Sequence, residues 1–192
     1  YMTYPAMIVN DCDMYKILKK LGECGCFAGV HCENAGVIDA LIDEAKKAGR
    51  LGPENHPLVR PDDMEAEAVH RLLVIAKEAG ALISYDPNYR ASLWSSEAAA
   101  AEAMKSMIPY ADVMKVSDEE SLLLTGEATY EAAADKLLAM GPNLVAVTLG
   151  SEGVLMATKE KKERIAGFSV QSVDTTGAGD SFWGGTLSAY LS

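Results

Sequence analysis

Three apolar runs in the second half of the chain, ALISYD (81–86), ADVMKV (111–116) and NLVAVTLG (143–150), alternate with stretches of helical spacing. Strand-length runs that alternate with helices predict a parallel sheet covered by helices, because parallel neighbours need crossover connections. The helical stretches are EAEAVHRLLVIAKEAG, a segment from Ser96 to Ile108, SDEESLLL and EAAADKLLAM. A hairpin around KEKKER adds an antiparallel edge, and TTGAGD opens a last helix. The class is α/β with a mixed-edge sheet. Ligands of such sheets bind at the carboxyl ends of strands, which singles out Asp86, Ser117 and Gly150.

In the first half, Asp11 or Asp13 is expected to cap a helix through MYKILKKL that Gly22 ends, and CGCFAGVH reads as a buried strand finishing at His31. A helix through AGVIDALIDEAKKAG, a loop through RLGPENHPLVRPDD and a helix capped by Asp62 or Asp63 follow. His31 is then a fourth residue at a strand end.

Hydrophobic residues make up 49% of the chain and charged residues 23%, and no apolar run reaches the roughly 18 residues a membrane span needs. The expectation is a soluble, cytoplasmic protein with no membrane partner. A formal charge of −11, without any Lys/Arg stripe, argues against nucleic acid as a partner. Cys12, Cys24, Cys26 and Cys32 crowd into the first segment rather than spreading as in a disulfide scaffold, so reduced thiols are expected. Cys24, Cys26, His31 and Cys32 could gather zinc, but their order is no standard finger spacing and buried free thiols explain them as well. The chain opens at Tyr1 and closes at Ser192 directly after an apolar helix-like run, and both ends read as cuts.

The richest stretch chemically is VDTTGAGDSFWGG. Two glycines flanking an alanine at a helix start leave backbone N–H groups uncovered, with the helix dipole behind them, which makes an anion cradle. Asp180 in the first turn can face what the cradle holds and accept a proton from an attacking hydroxyl. Read alone, the same residues also suit a Gly-rich turn whose Asp stabilises a helix start.

DPNYR (86–90), SDEE (117–120), VTLGSEGV (147–154) and GAGD (177–180) follow one another, the first three each after an expected strand. In this order they resemble the PfkB, or ribokinase-like, carbohydrate kinases over about 81–192, and DPNYRASLW is most similar to the fructokinase and 2-keto-3-deoxygluconate kinase branches. The resemblance implies ATP-dependent phosphoryl transfer to a sugar or sugar acid, with magnesium. Asp180 would be the catalytic base, and Gly177, Ala178 and Gly179 the anion hole. Thr148, Gly150 and Gly153 would form the nucleotide-binding turn, and Asp174 and Thr176 fall where some members bind potassium. Ser117 and Glu120 fall on the family's Asn-x-x-Glu motif, Glu120 acting indirectly on magnesium. Ser replaces Asn there, and Ser-x-x-Glu before a helix is equally a capping box. Asn88 and Arg90 would contact substrate or phosphate, or else order their loop through a salt bridge.

Residues 1–80 carry a different pattern, FAGVHCENAGVIDALIDEAKKAGRLGPENHPLVRPDDMEAEAVHRL. It resembles the dihydropyrimidinase and hydantoinase branch of the cyclic amidohydrolases, which implies a βα fragment of a TIM barrel. His31 would be a zinc ligand there and Tyr4 a substrate contact. One ligand cannot hold a two-metal hydrolytic site. The expectation is therefore a chimeric or truncated chain: an incomplete amidohydrolase-like segment over 1–80, joined near Gly80 to an incomplete sugar-kinase segment over 81–192. The alternatives are a zinc-dependent cyclic amidohydrolase fragment and a non-catalytic nucleotide-binding module.

Overall fold

The computed structural model describes residues 8–171 and 174–191. The chain divides into two compact units, Tyr1–Ala81 and Leu82–Ser192.

The described part of the first unit is helical. Helices α1 (Asp11–Glu23), α2 (Ala35–Lys47) and α3 (Asp62–Glu78) are joined by loops, with two 3-10 turns at Pro53–Asn55 and Pro57–Val59. Met14, Cys32 and Ala68 form a small core, with Leu18, Val30, Leu72 and Ile75 packed against it. Asn10, not Asp11 or Asp13, caps α1, its Oδ1 accepting from Asp13 N at 2.9 Å. Asp62 and Asp63 sit in the first turn of α3 behind Pro61 and favour its positive end without capping it.

CGCFAGVH is not a strand, and Phe27 is 85% exposed. A strand exists only where a neighbour takes up its backbone N–H and C=O groups, and among the described residues of this unit there is no strand to do so. Among the described residues, the βα barrel fragment expected for 1–80 is therefore replaced by three helices and loops. His31 lies in a loop rather than at a strand end.

The second unit is built on one five-stranded sheet in the order β1-β2-β3-β4-β5. The strands are β1 (Ser84–Tyr85), β2 (Val113–Ser117), β3 (Leu144–Thr148), β4 (Val154–Ala157) and β5 (Lys162–Ile165). β1, β2 and β3 run parallel, and β4 and β5 form an antiparallel hairpin on the far edge, as KEKKER predicts. Helices α4 (Glu97–Met107), α5 (Asp118–Thr125), α6 (Tyr130–Met140) and α7 (Ala178–Tyr190) complete the unit.

Both faces of the central strands are covered, which is why they read as apolar runs rather than alternating patterns. Met114, Val116, Val145 and Val147 point into the larger core with Met104, Leu124 and Leu137 from α4, α5 and α6. Val113, Leu144, Ala146 and Val154 form the opposite core with Trp183 of α7. Trp183 also donates from Nε1 to Ser84 Oγ at 2.8 Å, tying α7 to β1. Trp183→Phe keeps the ring packing but removes that bond, and is expected to cost about 1–2 kcal/mol in urea unfolding followed by circular dichroism.

Candidate active site

The loops that follow the parallel strands β1 and β2 meet the start of α7. A cleft of about 520 Å³ there is lined by Asn88, Tyr89 and Arg90 after β1, Lys115, Ser117, Glu119 and Glu120 from β2 and α5, and Thr175, Thr176, Gly177, Gly179 and Asp180 at α7.

Glu120 organises the cleft although it is buried. Its Oε2 accepts from Ser117 N at 2.8 Å, while Ser117 Oγ accepts from Glu120 N at 3.1 Å, so the capping box of α5 is complete. Its Oε1 accepts from Tyr89 N at 2.7 Å, pinning the 86–90 loop to the β2–α5 turn. Glu120→Gln puts an amide NH₂ opposite one of two backbone donors, and about 1–3 kcal/mol of stability is expected to be lost. Hydrogen exchange at the Tyr89 amide checks the cause, since exchange as slow as in the wild type would contradict it.

The 86–90 loop is a turn closed by its own side chain: Asp86 Oδ1 accepts from Asn88 N at 3.1 Å, and Asn88 holds φ +47°, a conformation Asn tolerates better than most residues. Asn88 and Arg90 are exposed to the cleft. The Arg90 guanidinium donates to Tyr89 O at 2.9 Å, a loop-ordering bond to a carbonyl rather than the expected salt bridge. Beneath the loop, burial and then the Glu120 and Asp86 carboxylates push the Tyr85 phenol far above its ordinary range, so it remains a donor, to Met104 O at 3.2 Å.

At α7, Gly177 takes the left-handed conformation (φ +74°) before the first turn, and no side chain caps the helix. Ala178 N donates to Thr175 O and Ser181 N to Gly177 O, which leaves the Gly179 and Asp180 N–H groups without an intrahelical acceptor. Asp180 is exposed at this rim. Thr176 N donates to Asp174 Oδ1 at 2.8 Å, and the Thr176 hydrogen bonds hold the Asp174 carboxyl below its ordinary range.

The remaining expected residues lie apart from the cleft lining. Asp174 and Ala178 flank it in sequence. Thr148, at the end of β3, donates from Oγ1 to Val116 O at 3.3 Å. Gly150 and Gly153 bracket the turn into β4.

In the first unit, the exposed His31 has Nε2 3.3 Å from Glu33 Oε2. Cys24 and Cys26 are exposed and only Cys32 of that group is buried, its thiol pushed up by burial. No cluster of three or more His, Cys, Asp or Glu residues able to hold a metal occurs among the described residues. The zinc group is thus not assembled there, and Tyr4 lies outside the described residues. The residue missed in the sequence is Lys115. A single lysine in an apolar strand carries no motif, and only its burial beside Asp86, at 2.9 Å, marks it.

The family model "pfkB family carbohydrate kinase" matches residues 51–192. A probable fructokinase-5 of Arabidopsis thaliana is 48% identical over 113 residues, 58% of this chain and 35% of that protein. Fructokinase-2 of Solanum lycopersicum is 47% identical over 118 residues, 61% of this chain and 36% of that protein. The chain thus spans about a third of the length of these relatives. Among solved structures, a double-mutant fructokinase from Vibrio cholerae O395 in fructose-, ADP- and potassium-bound form superposes with a TM-score of 0.60 at 35% identity, over 64% of this chain and 40% of that one. Aminoimidazole riboside kinase from Salmonella enterica, complexed with aminoimidazole riboside and an ATP analog, gives 0.60 at 32% identity, over 66% of this chain and 42% of that one. The match from residue 51 begins well before the seam expected near Gly80 and takes in part of the segment likened to an amidohydrolase, a likeness the comparisons do not support.

Proposed function

Because the chain belongs to the pfkB family of carbohydrate kinases, we propose that it carries the phosphoryl-transfer site of a fructokinase-like enzyme, moving the γ-phosphate of ATP to a sugar hydroxyl. The observation that carries this reading is the meeting of three distant motifs in one cleft: Asn88 and Arg90, Ser117 and Glu120, and Gly177, Gly179 and Asp180.

In the proposed mechanism, Asp180 accepts the proton of the attacking sugar hydroxyl as the O–P bond forms, and ADP leaves with the electrons of the broken P–O bond. The free N–H groups at the start of α7 face the negative charge of the phosphoryl group in flight. Arg90 supplies planar donors for phosphate or substrate. Lining carboxylates of Glu119, Glu120 and Asp180 fit a cleft in which a divalent cation accompanies the nucleotide and offsets the repulsion between them and its highly charged triphosphate chain. Magnesium, when bound, neutralises phosphate charge. Glu120 serves it indirectly, by fixing the loops on either side. Asp174 and Thr176 are the groups for a potassium ion, and Thr148, Gly150 and Gly153 form the nucleotide turn. We assign the activity to the cytoplasm, where ATP and free sugars meet.

Coupled ADP release with magnesium-ATP and a panel of fructose, ribose and 2-keto-3-deoxygluconate tests the reading. Release that depends on sugar, with fructose preferred, is the expected result. ATP binding without any sugar-dependent release would leave a nucleotide-binding module in its place.

A further inference from the structure

Lys115 occupies the middle of β2, in a strand otherwise apolar until its last residue, and its side chain is only 9% exposed. Burying an ammonium is costly unless it is paired, and an ion pair serving stability alone does little that well-packed apolar side chains would not do better. The pairing here is lopsided. Asp86 Oδ1 accepts from Asn88 N at 3.1 Å and Oδ2 accepts from Lys115 Nζ at 2.9 Å, so both oxygens of the carboxylate are engaged. Lys115 has three N–H donors, and among the described residues Asp86 is its one acceptor.

The other side of that ammonium lies against α7. A methyl group on Gly179 would sit 3.2 Å from Lys115 Nζ and 3.6 Å from Cε. The glycine thus does more than expose a helix start, because it leaves room for a cation beside the turn whose N–H groups are free. Lys115 also lines the same cleft as Asp180 and Arg90.

We propose that Lys115 is a direct ligand of the anion held at the start of α7, a cation fixed in place by Asp86. Identifying that anion as the transferring phosphoryl group rests on the kinase reading above, whereas the existence of the anion site does not. An ammonium already desolvated and tethered loses little freedom on meeting a phosphate oxygen, and its charge is less screened than at an open surface.

The test is a titration of the ¹⁵N-labelled chain with inorganic phosphate, followed at the Gly179 and Asp180 amides. In the wild type both resonances are expected to move, and in Lys115→Met the apparent affinity to fall at least tenfold. Because Lys115→Met leaves the half-buried Asp86 without its cation, the double variant Asp86→Asn/Lys115→Met is titrated alongside. Affinity as low as in the single variant, in a folded chain, supports direct contact. Recovery of wild-type affinity in the double variant, equal affinity in Lys115→Met, or no response of the wild type overturns the proposal. A parallel titration with magnesium-ATP separates the two readings: a chain that binds phosphate through Lys115 but ignores magnesium-ATP loses the kinase reading and keeps this one.

Discussion

Asp180→Asn is expected to lower sugar-dependent ADP release by about 10²- to 10⁴-fold, the range that a positioned general base contributes. Asp180 lies exposed in the first turn of α7, where loss of its charge costs the helix only about 0.3–1 kcal/mol. The cradle itself is backbone, set by Gly177 at φ +74° and by the Ser181 N to Gly177 O bond of 2.9 Å, and does not depend on the carboxylate. Nucleotide affinity should therefore stay within about threefold while turnover collapses, the signature of a group that acts in the transition state. Equal turnover in the variant would remove Asp180 from the chemistry. A parallel fall in ATP affinity would instead make it a binding residue.

Gly153→Ala is expected to destabilise the second unit by at least about 3 kcal/mol, with a named mechanism of backbone clash. Gly153 holds φ +99°, and an added methyl would lie 2.0 Å from Ile165 O, 2.6 Å from Gly167 N and 2.7 Å from Ala166 C. All three are backbone atoms beside the end of the β4–β5 ladder, where Val154 pairs with Ile165, so no rotamer change relieves the contact. Gly150 is the internal control. It has φ +57° with open space around it, and its alanine variant is expected to cost only the left-handed penalty of about 1–2 kcal/mol. Urea unfolding of the two variants decides the matter: equal losses would mean that the approach of the β5 end does not constrain Gly153. The outcome bears on function because the motif glycine at 153 is then held by the protein's own backbone and not by a bound nucleotide.

Much of the second unit is legible in the amino-acid sequence. Ser96 accepts from Ala99 N as the cap of α4, the KEKKER hairpin forms, and ADVMKV and NLVAVTLG are strands buried on both faces. The cap and the hairpin depend on residues close in the chain, and the two strands are legible because their apolar runs are flanked by helical ones. CGCFAGVH misleads because its apolar content matches a buried strand while strand formation needs a partner, which no window of sequence contains. SDEE is legible but ambiguous. The capping box is formed, and the same Glu120 also binds Tyr89 N, a residue 31 positions away.

Propensity, capping and hydrophobic period are local and agree with one another over residues 82–192, so the strand and helix order there, and the motif residues around the cleft, can be read from the chain alone. Which of those residues share the cleft, and that Lys115 joins them, follows only from the packed fold. So does the close approach of Gly179 to the Lys115 ammonium. A buried charge is tolerable only where its partner meets it in space, and Asp86 reaches Lys115 from 29 residues away through the pairing of β1 with β2.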